Sequence, residues 1–147
     1  MILKLQNAIL EMIAKGEPLA TTVEHLCIRV EALVPDVTVS VLMFDGRRLH
    51  PLAGPSLPPD YSEAIEGLES GPLAGSCGTA AFFGEPVIVT DIETDPRWQY
   101  GREHVMALGY SACWSSPIKS GERVVGTFAF YYRERRGPSP LEQQLVD

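Results

Sequence analysis

The stretch ACWSSPIKSGERVVGTFAFYY, residues Ala112 to Tyr132, decides the fold. Two strand-like runs, ACWSSPI and ERVVGTFAFYY, the second rich in β-branched and aromatic residues, flank Lys119-Ser120-Gly121, a polar turn that ends in glycine, so the stretch reads as an antiparallel hairpin. Side chains alternate between the two faces of a strand. Cys113 and Ser115 therefore share one face, with Trp114 and Ser116 on the other. On the second strand Thr127, Ala129 and Tyr131 oppose Gly126, Phe128 and Phe130. Each strand thus has a bulky apolar side and a smaller, partly polar side.

Working outward, VTVSVLMFD (Val37 to Asp45) is another β-rich run, and Asp45-Gly46 turns it into a second strand, RRLHPLA. Pro58 to Leu68 allows a short helix and PVIVTDI a short apolar strand. Thr94-Asp95-Pro96 is a helix cap with proline in the first turn, and the helix predicted from Arg97 to Leu108 is closed by Gly109. Near the N-terminus, Leu19, Val23, Leu26, Cys27, Val30 and Leu33 form one face of a helix stopped by Pro35, with Cys27 as core packing. Ahead of it Ile2, Leu5, Ile9 and Met12, widened by Leu3, Leu10 and Ile13, predict an amphipathic helix over residues 1–16. Ser139-Pro140-Leu141-Glu142 is a capping box opening a last helix over 139–147. The order is that of an α+β domain on an antiparallel sheet, without a βαβ rhythm.

Composition bounds the function. At 147 residues and 45% apolar content the chain reads as one domain, 1–147, with a sizeable core. A net charge of −7 argues against a nucleic-acid-binding face. No run approaches the twenty or so apolar residues of a membrane span. Lys4, Glu11 and Lys15 break the N-terminal apolar run, so it is not a signal peptide. Cys27, Cys77 and Cys113 are an odd number at wide spacing, without a C-x-x-C pair, which points to a reducing, cytoplasmic setting.

GPLAGSCGTAAFFGEP, Gly71 to Pro86, holds four glycines and a cysteine and is the first candidate for chemistry. It lacks the Lys-Ser/Thr ending of a phosphate-binding loop and the spacing of a dinucleotide fingerprint. A thiol near a helix N-terminus has its thiolate favoured, so Cys77 is a candidate reactive cysteine, with Ser76 a candidate cap for that helix.

GSCGTAAFFGEPVIVTDIETDPRW, followed by ALGYSACWSSPI and VVGTFAFYY, resembles the GAF domains of bacterial signalling proteins, especially those beside PAS domains and cyclic-di-GMP synthase (GGDEF) or phosphodiesterase (EAL) domains. The resemblance covers nearly the whole chain. It implies a GAF-like, PAS-related central antiparallel sheet, with N- and C-terminal helices on one face and short helices and loops over a small-ligand pocket on the other. The larger apolar strand face then packs on the terminal helices. The smaller face is expected to line the pocket through Cys113, Ser115, Thr127 and Tyr131, together with Cys77, Thr79, Trp98, Tyr100 and His104.

The resemblance also discriminates among GAF specialisations. Bilin-binding members carry a Cys-His pair where this chain has Tyr100-Gly101, so no bilin attachment is expected. The NKFDE set of cyclic-nucleotide-binding members is absent, Asn7 being the single asparagine. His104 is a minority candidate for a haem ligand, and the cofactor stays unassigned. Free methionine-(R)-sulfoxide reductase, a GAF enzyme, shares the Cys-Gly-Thr-Ala run at Cys77. Its further Ala-Cys-Asp stretch has no counterpart in DIETDPRWQYGREHV.

The leading expectation is therefore a non-catalytic sensory or regulatory module that binds a small molecule or transmits a signal; the alternative is a cysteine-dependent reductase of that type. The output is expected to be a covalently linked diguanylate cyclase, cyclic-di-GMP phosphodiesterase or histidine kinase. The terminal helices are expected to pair in a homodimer, and the helix begun at Ser139 to continue towards the output domain.

Overall fold

The computed structural model describes Ala8, Glu11, residues 19–34 and residues 36–146. The apolar stripe expected over residues 1–16 lies outside the described residues, apart from helical Ala8 and Glu11.

Six strands form one sheet: β1 (Val37–Phe44), β2 (Arg48–Ala53), β3 (Leu68–Glu69), β4 (Val87–Val89), β5 (Ala112–Ser120) and β6 (Arg123–Tyr132). Their order is β3-β2-β1-β6-β5-β4, with every neighbouring pair antiparallel. The β5–β6 hairpin read from the sequence forms, with Cys113 opposite Tyr131 and Trp114 opposite Phe130, and β6 also pairs with β1 at the centre of the sheet. Gly126 is required where β6 passes β1, since a Cβ there would lie 2.6 Å from the Leu42 carbonyl oxygen. β3, a two-residue edge strand, was not foreseen, because two residues carry no readable period.

The sheet separates two cores. On one face, Val37, Val39, Val41, Trp114, Phe128, Phe130 and Tyr132 pack against α1 (Leu19–Leu33), Ala8 and Leu145 of α5 (Pro140–Val146). Full burial of such side chains contributes on the order of 1.5–3 kcal/mol each. The larger apolar face thus meets the helices from both ends of the chain, as expected. In α1 the buried stripe is Val23, Leu26, Cys27 and Val30. Leu33 departs from expectation: it is 61% exposed, while Val34, just past the helix, turns inward.

The other face carries the short helices α2 (Pro59–Ile65), α3 (Gly75–Phe83) and α4 (Arg102–Ala107). The single helix expected over Arg97 to Leu108 is in fact two pieces. A 3-10 turn, Pro96–Trp98, is capped by the Asp95 carboxylate accepting from Arg97 N–H, and α4 restarts after Gly101. Gly109 closes α4 with φ +94°. At the C-terminus the capping box forms in full: Glu142 N–H donates to Ser139 Oγ at 3.2 Å, and Ser139 N–H donates to Glu142 Oε1 at 3.3 Å.

Candidate functional site

Between the sheet and the short helices lies a cavity of about 560 Å³, within the range typical of small-molecule sites. Tyr131 and Leu42 of the sheet form its floor, Tyr61 of α2 one wall, and Trp98 with the start of α3 another. Why α3 comes so close follows from its glycines. Gly75 opens the helix at φ +70° against the Trp98 ring, and a Cβ on Gly78 would fall 2.5 Å from that of Ala74.

Trp98 ties the wall together. Its indole Nε1–H donates to Ser76 Oγ at 3.0 Å, and that hydroxyl donates to the Cys113 carbonyl at 3.1 Å. One serine therefore pins the 3-10 turn, α3 and β5 to each other. This corrects the capping role expected of Ser76: α3 begins one residue earlier, and no side chain caps it.

Of the nine residues expected at the pocket, Cys77, Trp98, Tyr100, His104 and Tyr131 line the cavity. Tyr100 does so only at the mouth, 86% exposed. Thr79, Cys113, Ser115 and Thr127 are not in the lining; they are buried in a closed layer beneath it. Ser115 Oγ donates to Cys77 Sγ at 3.2 Å, and Thr79 Oγ1 accepts from Ala74 N–H at 3.2 Å. Thr127 Oγ1 lies beside the Cys77 thiol without a well-formed hydrogen bond. Strand alternation located the correct face, but α3 packs down onto its middle and displaces the open space towards α2. Sequence reasoning missed Tyr61, Ile65 and Leu68. Tyr61 and Ile65 are four apart in PDYSEAI, the spacing of one helix face, and that was the available signal.

The chemistry of the cysteines differs from expectation. Burial pushes the Cys77 thiol up, more than the Ser115 and Thr127 hydroxyls pull it down. Cys113 is held well above its usual range, again by burial first, and Cys27 is pushed up to about 12. Proximity to the start of α3 does not activate Cys77, because loss of water outweighs the partial charge of a helix end. All three thiols are free. Among the described residues no group of three or more His, Cys, Asp or Glu is placed to hold a metal ion.

The cavity's inner end is aromatic. Tyr61 and Tyr131 are hydrogen-bonded hydroxyl to hydroxyl at 3.2 Å, and the His104 ring stands edge-on to Tyr61 at 5.1 Å between centroids. Burial raises the pKa of both phenols, so both are protonated at neutral pH. The charged groups sit at the rim and are paired outward. Arg97 holds Asp95 at 2.7 Å, and Glu69 meets Arg47 at 3.3 Å.

A six-stranded antiparallel sheet with short helices over a cavity on one face and α1 and α5 on the other is the architecture of a GAF-like α+β domain. The profile of the GAF domain family matches residues 16–147, and the chain belongs to that family. Over 144 residues it is 38% identical to the methyl sulfide methyltransferase-associated sensor of Methanosarcina acetivorans, covering 96% of this chain and 14% of that protein. Among solved structures it resembles a domain of a two-component sensor histidine kinase protein from Sinorhizobium meliloti, with 18% identity, TM-score 0.63, and 85% and 81% of the two chains covered. It also resembles the type II free methionine-R-sulfoxide reductase of Thermoplasma acidophilum, with 12% identity, TM-score 0.67, and 86% and 83% covered. At such identities the two structures establish the fold alone. Membership of the family and the likeness to a sensor support a sensory or regulatory role. No helix of the described residues is long and apolar enough to cross a membrane.

Proposed function

We propose that this GAF domain is the non-catalytic input module of a larger signalling protein and that it binds a small molecule between Tyr61, Trp98 and Tyr131. The observation that carries this reading is the cavity of about 560 Å³, bounded by side chains that are themselves held in place by hydrogen bonds. A reductase role is disfavoured because Cys77 is buried with a raised pKa, a poor starting point for thiolate attack on a sulfoxide.

A bound molecule would press on the β6 side chain at Tyr131, and the next residue, Tyr132, faces the opposite core. There its hydroxyl donates to Glu142 of α5 at 2.5 Å. This gives cavity occupancy a short path to the helix that, in the proposed signalling protein, would lead to the output domain. We place the output in a covalently linked partner domain, a cyclic-di-GMP enzyme or a histidine kinase, and the dimer contact in the terminal helices.

Native mass spectrometry of protein freshly purified from its source tests the binding reading. A reproducible mass adduct released on denaturation supports it. Unliganded protein that shows no thermal shift across a metabolite collection would contradict it.

A further inference from the structure

The cavity's polar groups specify the chemistry of its occupant, an inference that rests on the binding reading above. Two phenol hydroxyls, those of Tyr61 and Tyr131, sit together at the inner end, each residue 3% exposed or less. A hydroxyl donates one proton, so the pair holds two, and their mutual hydrogen bond uses one. The other O–H is left to the cavity, and an unspent buried donor is costly.

The rest of the lining offers no uncompensated charge of its own. The Arg97 guanidinium is engaged by Asp95 through Nε at 2.9 Å and Nη2 at 2.7 Å. Glu69 at the rim is likewise paired, with Arg47, so neither rim charge offers an anion a free counter-ion, and the net charge of −7 disfavours its approach. Burying an anion here would remove its water without supplying a counter-ion. The rings of Tyr61, Trp98, Tyr131 and His104 instead offer flat apolar surface to a ring.

We infer that the cavity takes a neutral, flat, largely apolar small molecule bearing one hydrogen-bond acceptor, which receives the free proton of the Tyr61–Tyr131 hydroxyl pair.

Three probes sharing one ring separate the elements of this claim: acetophenone, with a neutral acceptor; toluene, with none; and benzoate, with a charged one. Isothermal titration of the 147-residue chain at pH 7.5 is expected to rank acetophenone about fivefold or more ahead of toluene, with benzoate weakest. The double variant Tyr61→Phe/Tyr131→Phe, which removes both donors, is expected to abolish the preference for acetophenone over toluene, whereas either single variant leaves one free O–H and is expected to keep that preference. The double variant loses two hydroxyls and little volume, and thermal unfolding verifies that it folds. Benzoate binding as tightly as acetophenone overturns the inference, as does equal binding of acetophenone and toluene. If no probe binds although the purified protein carries a mass adduct, the inference fails and the cavity remains a binding site. If there is neither probe binding nor adduct, the binding reading itself has failed.

Discussion

Cys77 shows how a single side chain takes its chemistry from packing rather than from position in the sequence. Next to glycines at the start of a helix it invites a reactive-thiol reading, yet at the cavity wall it is only 6% exposed, its Sγ accepts from Ser115, and burial raises its pKa. Modification by a thiol-reactive disulfide at pH 8 should therefore be slow for all three cysteines in the folded chain and rapid in denaturant. One thiol reacting at the rate of free cysteine in native buffer would contradict the structure. A second expectation at this scale concerns His50, whose ring nitrogens bridge Asp45 at 2.8 Å and Glu66 at 2.9 Å. The hydrogen bond to Asp45, then that to Glu66, raises the His50 pKa. Asp45 is lowered by Arg48 N–H, the His50 ring and Arg47 N–H. The stability His50 contributes is full below the ordinary imidazole value of about 6.5 and is lost as pH rises through its raised folded value. That of Asp45 is full above about 3.9 and is lost as pH falls through its depressed value. The tie across the β1–β2 turn should thus be strongest between about pH 4 and pH 6.5. An NMR titration in which His50 has a pKa at or below that of a free imidazole would refute this.

At the scale of elements, the strands and caps were the most legible parts. The β5–β6 hairpin, the Asp45-Gly46 turn and the Ser139–Glu142 box rest on alternation and local hydrogen bonding, which act within a few residues. The pieces misread were those decided by distant contacts. The helix expected from Arg97 breaks at residues 99–101, where Trp98 turns in to reach Ser76, more than twenty residues earlier in the chain. Four of the nine expected pocket residues were put on the correct face but not in the cavity, because no local rule says how far α3 sinks towards the sheet. The fate of α5 also depends on a distant residue. Glu142 is buried and accepts from Tyr132 Oη, from Arg136 at 2.7 Å and from Ser139 N–H. Arg136 lies over the Tyr132 ring at 4.3 Å. Although burial opposes it, these hydrogen bonds leave the Glu142 carboxyl below its usual range. Glu142→Ala should destabilise the chain by about 1–3 kcal/mol, Arg136 being partly solvated. It should also speed hydrogen exchange in 140–146 while leaving β5 and β6 protected. Unchanged exchange in α5 would show that this cluster does not hold the helix.

For the whole molecule, the division of labour between the two sheet faces is the central feature. One face is filled by large apolar side chains with α1 and α5; the other leaves room beneath α2, α3 and α4. Two enlargements on this second side probe that difference. Ser115 lies in the closed layer, with none of its surface exposed. Ser115→Trp should therefore overpack that layer and cost about 3 kcal/mol or more. Leu42 faces the cavity, so Leu42→Trp should place its added bulk in open space and cost about 1 kcal/mol or less. Equal penalties in urea unfolding would mean that the room beneath the helices is filled.

The most direct measurement of the central claim compares small-molecule retention by the parent chain and by Leu42→Trp, using native mass spectrometry on proteins purified side by side. The account predicts an adduct on the parent chain and its loss from the variant, with the unfolding free energies of the two within about 1 kcal/mol. An adduct retained in full by a folded Leu42→Trp chain would contradict it, because the molecule would then be held somewhere other than the space between Tyr61, Trp98 and Tyr131.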